Sequence, residues 1–312
     1  MGVTQGFLRL RASSGVAQGP APSPERARAA ALDAAIGEVD WSQPAPGSVA
    51  STFAAPSGPL AVVSIGDPSA PRVVLVPGVT GSKEDFVLML PILVAGGYYV
   101  QTLDLAGQYE SAAAGPAPGD PFTWELFVDD LTAFLRTGGP AHLLGYSFAG
   151  TVAQLVAVEH PHLVRSLTLL STPPGVGNVF GRMRWLGPIA PFASPRVGAG
   201  LMIWGVRTNK NRVPPERLAF VRSRFASTTR ESVDDVIGLM MRTPDARGEV
   251  RATGIPVMVA VGAHDLWSVR QHARFADELG AWMRTYDTGH SPCETTPHQL
   301  CLDLFDLYAR GT

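Results

Sequence analysis

The sequence predicts an α/β protein with a mostly parallel central sheet, helices on both faces of the sheet, and an inserted helical segment. Short apolar runs alternate with helix-like stretches from residue 72 onward. The runs are continuously apolar, as in strands that are buried on both faces. About 75 residues without a clear buried strand interrupt the alternation, which is too long for an ordinary loop. At 312 residues, the chain is long enough to bury one large core.

Residues 1–47 are predicted to form an N-terminal extension, partly disordered, with one short helix. The first 22 residues are rich in Gly, Ala, Ser and Pro, a composition typical of disordered chain. Ser23 is a suitable N-cap, Pro24 suits the first helical turn, and Gly37 is predicted to end the helix. Two short strands around a Pro-Ser-Gly-Pro turn then predict a hairpin at the sheet edge.

The remaining chain divides into a core, predicted over residues 48–172 and 251–312, and an insertion over residues 173–250. In the core, the run "RVVLVPG" is a buried strand, and the next helix is predicted over residues 83–94. Right-handed crossovers between such parallel strands place helices on both faces. The insertion contains the helix-like stretches "VPPERLAFVRSRFA" and "TRESVDDVIGLMMRT", and we expect it to be a helical lid.

A serine stands where a predicted strand gives way to a helix, in "GYSFAG". A sharp strand-to-helix turn would hold the hydroxyl of Ser147 clear of the backbone, and it needs small neighbours such as Gly145 and Ala149. The free N–H groups at the helix N-terminus favour developing negative charge. Ser147 is therefore a candidate nucleophile, although a serine that only caps the helix is the alternative.

A serine hydroxyl needs a base to remove its proton and a third group to orient that base. Asp265 follows the apolar run "VMVAVG", and His290 follows the next strand-like run, "WMRTYD". The carboxyl ends of parallel strands share one edge, so Ser147, Asp265 and His290 are expected to converge there, in the order Ser, Asp, His. Asp104 also ends a core strand and is the alternative acid.

With these motifs in this order, the sequence resembles the α/β-hydrolase superfamily, in particular its lid-bearing serine esterases, from about residue 48 to the C-terminus. The resemblance implies the α/β-hydrolase fold with an inserted lid. It implies that Ser147 is the nucleophile, Asp265 the acid and His290 the base. It also implies an oxyanion hole formed by the backbone N–H groups of Phe148 and Val79.

The sequence departs from the pattern of the superfamily at several positions, among them the loop after Asp104 and Glu294, which is displaced by one position. Pro77-Gly78 stands where His-Gly is usual, and Ala149 stands where glycine is usual. Ala149 is a small change that the turn should tolerate. Pro77 has no N–H, but the donor required lies further along the loop. Whether Pro77 alters this loop stays open at the level of the sequence.

Aromatic residues in and near the insertion predict an apolar substrate portion. Trp185, Trp204 and Trp267 are the candidate substrate-binding residues. For each residue taken singly, packing of the lid against the core is the competing interpretation.

These observations together predict a serine hydrolase, a carboxylic ester hydrolase that acts on a small molecule with an apolar portion. A carbon–carbon bond hydrolase or an acyltransferase would use the same three residues. A hydrolase-like ligand-binding protein with a slow or vestigial triad is the alternative from another class, because fold does not determine function.

Composition limits the partners of the chain. The formal net charge is −2 and no basic stripe is present, so nucleic acid is not an expected partner. No stretch approaches the ~18 apolar residues of a membrane span, and the first residues make a poor signal peptide.

The two cysteines form no disulfide framework, so a cytoplasmic protein with reduced thiols is expected. Neither metal-ligand spacing nor a nucleotide motif is visible, so no metal or cofactor is expected; His272 and His298 are expected to be solvated.

Overall fold

The computed structural model of the chain describes residues 23–182 and 215–311. Within these ranges eight strands form one sheet: β1 Val49–Ala55, β2 Gly58–Ile65, β3 Arg72–Val76, β4 Tyr99–Leu103, β5 Ala141–Tyr146, β6 Val164–Leu170, β7 Val257–Gly262 and β8 Trp282–Tyr286. Their order across the sheet is β1-β2-β4-β3-β5-β6-β7-β8. The first two strands form the predicted antiparallel hairpin and β2 pairs antiparallel with β4, whereas all other pairs are parallel.

The helices lie between the strands in the predicted alternation. They are α1 Pro24–Ala34, α2 Leu90–Ala95, α3 Trp124–Leu135, α4 Phe148–Glu159, α5 Pro215–Ser227, α6 Arg230–Met240, α7 Arg247–Ala252, α8 Val269–Leu279, α9 Pro292–Thr295 and α10 Pro297–Tyr308. Shorter 3₁₀ turns cover Lys83–Phe86, Tyr109–Ser111, Pro161–Leu163 and Val179–Arg182. Among the described residues, none of the helices has the length and apolar character that crossing a membrane requires.

Strand β3 shows how the sheet separates two hydrophobic clusters. All five of its residues are buried. Val74 and Val76 belong to the cluster that also contains residues of α3, α4 and α8, whereas Val73 and Leu75 belong to the cluster with residues of α2 and α10. Alternate side chains of a strand point to opposite faces. The predicted fold class, with a mostly parallel sheet covered by helices on both faces, is therefore confirmed.

The predicted helix over residues 83–94 is wrong as a single element. A 3₁₀ turn ends at Phe86, and a separate helix, α2, begins at Leu90 with Pro91 in its first turn. Proline has no N–H to donate and its ring clashes with the carbonyl four residues earlier. One continuous helix therefore cannot pass through Pro91 without disruption.

The N-terminal helix starts as predicted, since the Ser23 side chain accepts a hydrogen bond from the Arg26 N–H. It ends at Ala34, before the predicted stop at Gly37. The predicted disordered stretch over residues 1–22 lies outside the described residues.

Helix α1 packs against the last helix, α10, through charged groups. Asp33 accepts hydrogen bonds from the backbone N–H groups of His298 and Gln299, at 2.8 and 3.1 Å. Arg26 pairs with the buried Asp303. The expectation that His298 is solvated is therefore wrong: it is half-buried, and its Nδ1 lies 2.9 Å from Asp33.

The described part of the insertion is helical over α5, α6 and α7, between β6 and β7. Residues 183–214 of the predicted lid lie outside the described residues. The domain boundaries, including a lid over residues 173–250, remain a prediction.

Candidate active site

Ser147 occupies a strained turn between β5 and α4. Its φ and ψ are 53° and −118°, a left-handed backbone that a non-glycine residue rarely adopts. The turn depends on glycine on both sides. A Cβ at Gly145 would lie 2.4 Å from the carbonyl oxygen of Ala149, and one at Gly150 would lie 1.8 Å from Thr172 Oγ1. These close contacts explain why small residues surround the serine.

The loop after β3 touches the same turn. A Cβ at Gly78 would lie only 2.9 Å from the Cβ of Ser147, so glycine is needed for this approach. Val79 follows directly and is half-buried. Phe148 is the first residue of α4, so its N–H has no acceptor within the helix ladder. The backbone segments of both predicted oxyanion donors are therefore adjacent to Ser147.

The structure brings the three predicted side chains together. His290 Nε2 lies 3.2 Å from Ser147 Oγ, and His290 Nδ1 lies 2.5 Å from Asp265 Oδ1. Ser147 and Asp265 are buried, while the His290 side chain is 21% exposed. A hydroxyl, an imidazole and a carboxylate in this sequence of contacts can move a proton from the hydroxyl to the imidazole.

The environment keeps Asp265 ionised. Burial by itself opposes the charged carboxylate, but the nearby His290 and His272 outweigh burial and lower the pKa of Asp265 to about 2. The Leu266 N–H also lies 2.5 Å from Asp265 Oδ1. A carboxylate that is ionised near neutral pH can hold the Nδ1–H tautomer of His290, which leaves Nε2 free to accept a proton.

Asp104, the alternative acid, has other partners. Its Oδ1 accepts a hydrogen bond from the Lys83 N–H at 2.7 Å, and its Oδ2 lies 3.3 Å from Lys83 Nζ. Burial raises the pKa of Asp104 to about 7, although Lys83 opposes this rise. Of the two carboxylates, Asp265 is the one in contact with His290.

The expectation that His272 is solvated is wrong. It is fully buried on the inner face of α8, and its Nε2 lies 3.1 Å from Asp265 Oδ2. A signal for this placement was present in the sequence: the buried residues of α8 are His272, Phe275, Ala276 and Leu279, at helical spacing. The contact with Asp265 itself depends on tertiary structure.

Trp267, a predicted substrate-binding residue, is fully buried beside His290, with 6.1 Å between the ring centroids. Its indole N–H donates to the Val179 carbonyl oxygen at 3.0 Å. This hydrogen bond connects the loop of Asp265 to the start of the predicted insertion. Trp185 and Trp204 lie outside the described residues, so all three substrate contacts stay predictions.

The sequence analysis missed a buried ion cluster, which we define as Asp85, Glu294, Arg217 and Arg224. Arg217 binds Glu294 through two nitrogens, at 3.0 and 2.5 Å, and binds Asp85 at 2.6 Å. Arg224 also lies 2.6 Å from Asp85. These ion pairs connect α5 to the 3₁₀ turn after β3, which contains Asp85, and to α9, which contains Glu294. The members of the cluster come from three distant parts of the chain, so no local pattern reveals it.

Comparison with known proteins places the chain in a family. The sequence profile described as "Alpha/beta hydrolase family" matches residues 73–304, most of the chain. The chain belongs to the alpha/beta hydrolase family. This membership agrees with the sheet order and with the resemblance noted from the sequence.

Curated relatives of this alpha/beta hydrolase match only part of it. Ethanol acetyltransferase 1 of Cyberlindnera fabianii is 30% identical over 105 residues, which cover 33% of this chain and 30% of the relative. A pimeloyl-[acyl-carrier protein] methyl ester esterase of Neisseria meningitidis serogroup C is 35% identical over 102 residues, or 32% of this chain and 36% of the relative. The matched segments thus span about a third of each of these two relatives.

Solved structures extend the similarity in fold. The enol-lactonase of Burkholderia xenovorans LB400 superposes with a TM-score of 0.67 at 19% identity. The superposition covers 83% of this chain and all of the lactonase chain. At this identity the likeness concerns the fold alone.

Proposed function

We propose that this alpha/beta hydrolase is a serine hydrolase that cleaves a carboxylic ester with an apolar portion, through Ser147, His290 and Asp265. The observation that carries the proposal is the continuous set of contacts from Ser147 Oγ to His290 and on to Asp265. The strained backbone of Ser147 supports it, because strain of this kind is concentrated at functional sites.

The proposed reaction has two steps. Ser147 Oγ attacks the ester carbonyl carbon while its proton passes to His290 Nε2, and the carbonyl oxygen becomes an oxyanion. The imidazolium then gives the proton to the leaving alcohol, and an acyl-enzyme ester on Ser147 remains. Water attacks that ester with His290 again as base, which releases the acid and restores the serine hydroxyl.

The proposed oxyanion donors are the N–H groups of Phe148 and Val79. Each donor of this kind lowers a barrier by about 3 kcal/mol in enzymes where one has been removed. Apolar packing supports the choice of substrate: Val79, Phe180 and Met241 are partly buried against the cluster that contains Phe148 and Trp267. Apolar surroundings of this kind would favour an apolar acyl or alcohol group.

A second candidate, acyl transfer to an alcohol, is favoured by one observation. A relative of this chain is named ethanol acetyltransferase, although the match covers a third of this chain. The same acyl-enzyme would then react with an alcohol in place of water. Adding ethanol or butanol to a hydrolysis assay separates the two: new ester as the main product would favour transfer, and free acid would favour hydrolysis.

The primary test is labelling with a fluorophosphonate, located by mass spectrometry, together with hydrolysis of a graded panel of acyl esters. We expect the label on Ser147, with labelling lost in Ser147→Ala and His290→Ala and weakened in Asp265→Ala. The matched control is Ser69→Ala, since Ser69 lies in a surface turn with Asp67. Folded protein that takes no label, or that hydrolyses esters without Ser147, would overturn the proposal. Stoichiometric ligand binding without turnover would then point to a binding protein.

A further inference from the structure

The carboxylate of Asp265 has a histidine nitrogen close to each of its oxygens. Oδ1 faces His290 Nδ1 and the Leu266 N–H, both at 2.5 Å. Oδ2 faces His272 Nε2 at 3.1 Å. The side chains of Asp265 and His272 are both completely buried. Asp265 therefore lies between two imidazoles, one on the Ser147 side and one from α8.

His272 is firmly placed by its helix. Ser268 and Gln271 form a capping box that fixes the start of α8, and His272 lies in the first turn on the buried face. Its Nδ1 has no hydrogen-bond partner among the described residues. Nε2 lies 3.1 Å from Asp265 Oδ2, but the two atoms do not form a hydrogen bond of good geometry.

We propose that His272 is a positioning residue that directs an N–H toward Asp265 Oδ2 and thereby fixes the carboxylate that orients His290. This inference rests on the proposed function of the three residues and extends it to a fourth. With only His290 and the Leu266 N–H on Oδ1, the carboxylate plane could rotate away from His290, since Oδ2 is buried and makes no hydrogen bond of good geometry among the described residues. A second contact prevents that rotation, because a buried anion without donors is costly.

The contact also sets how strongly Asp265 attracts the proton on His290. An N–H directed at Oδ2 withdraws negative charge from the carboxylate, which makes the imidazolium form of His290 less favourable. A positively charged His272 would act in the same direction. With a proton on His272 Nε2, loss of His272 is therefore expected to shift the titration midpoint of His290 to higher pH.

Several other charged groups near this site have partners of their own. On the site side, His264 pairs with Asp287 at the exposed surface. Around Tyr146 and Cys293, the charges of Asp85 and Glu294 are paired with Arg217 and Arg224. On the elements packed against α8, Arg247 binds Asp245 and Glu278, Arg251 binds the Asp277 carbonyl, and Arg284 binds Asp303.

Three substitutions test the proposal. His272→Gln keeps an amide N–H at the distance of Nε2, His272→Asn has an amide too short to reach Oδ2, and His272→Phe has no donor. The readouts are the NMR titration midpoint of His290, assigned with His290→Gln, and the rate of fluorophosphonate labelling as a function of pH. His142→Phe is the control, because His142 is equally buried but contacts Ser166 instead of the site.

We expect His272→Asn and His272→Phe to move the NMR titration midpoint of His290 to higher pH. The pH at which the labelling rate falls on acidification should rise with it. Labelling below neutral pH should slow about tenfold, as expected for loss of a contact to a charged group. His272→Gln should restore both readouts and His142→Phe should change neither. If His272→Phe does not fold, the comparison of His272→Asn with His272→Gln tests the positioning role by itself.

An unchanged His290 midpoint in His272→Asn would overturn the positioning role, even if labelling slows. The proposed function fails separately. If the midpoint shifts but Ser147 takes no label in the parent protein, the contact is real and the serine-hydrolase proposal is wrong.

Discussion

Gly262 at the end of β7 touches Gly289, the residue before His290. A Cβ at Gly262 would lie 1.9 Å from the Gly289 carbonyl oxygen, a distance no side chain can accept. The contact presses the loop of His290 against the strand that leads to Asp265. The approach of these two side chains therefore depends on a missing Cβ.

We predict that Gly262→Ala separates His290 from Asp265. Labelling of Ser147 should fall about a hundredfold, as small displacements of reacting groups cost in enzymes. Overpacking should also lower the free energy of unfolding by about 1–3 kcal/mol. Labelling rates and urea unfolding measure the two effects. Gly248→Ala in α7, where a Cβ would meet nothing within 4 Å, is the control; equal effects of the two changes would contradict this explanation.

The ion cluster of Asp85, Glu294, Arg217 and Arg224 should contribute strongly to stability. Arg217→Ala leaves the mostly buried Glu294 without its two contacts, and breaking a buried pair on one side costs about 3–5 kcal/mol. Arg230→Ala removes a surface pair with Asp234, where the arginine side chain is 68% exposed, and should cost less than about 0.5 kcal/mol. Chemical unfolding of both variants gives the comparison. A similar small loss in both would show that the cluster is not a stabilising device.

Asp265 should make the fold sensitive to acid. Its pKa is lowered to about 2 in the folded chain, below the ordinary value of 3.8, so its contribution is complete above pH 4 and is lost toward pH 2. The loss amounts to about 2 kcal/mol. Asp265→Asn should remove this part of the pH dependence, while Asp129→Asn on the exposed face of α3 should not. Unfolding free energies at several pH values between 2 and 5 provide the test, and parallel curves for parent and Asp265→Asn would refute it.

Asp33 should support the last helix from a distance. It accepts the backbone N–H groups of His298 and Gln299 at the start of α10, where Thr296 makes no side-chain cap. Asp33→Ala should lower the free energy of unfolding by about 1–2 kcal/mol, the usual cost of losing a cap. Ser23→Ala, at the exposed cap of α1, should cost less. If thermal unfolding shows no difference between Asp33→Ala and the parent, α1 does not stabilise α10.

The break in the predicted helix over residues 83–94 shows that apolar periodicity alone does not predict where a helix begins and ends. Apolar spacing through this stretch is compatible with one helix, and Pro91 is the residue that divides it. The same kind of evidence succeeded for α4, because the strand, the small residues and the helix around Ser147 are local features. Helical spacing places His272 on the same face as Phe275, Ala276 and Leu279, but it does not reveal that Asp265 packs over this face.

The sequence by itself determined the alternation of strands and helices, and with it the edge where Ser147, Asp265 and His290 were expected to meet. These features are local: apolar runs, glycines at turns and the order of residues after strands. Only the tertiary structure decided that His272 faces Asp265, that Arg217 joins Asp85 to Glu294, and that Asp33 caps α10. Those partners come from separate elements, and their contacts exist only after burial has brought the elements together and made unpaired charges costly.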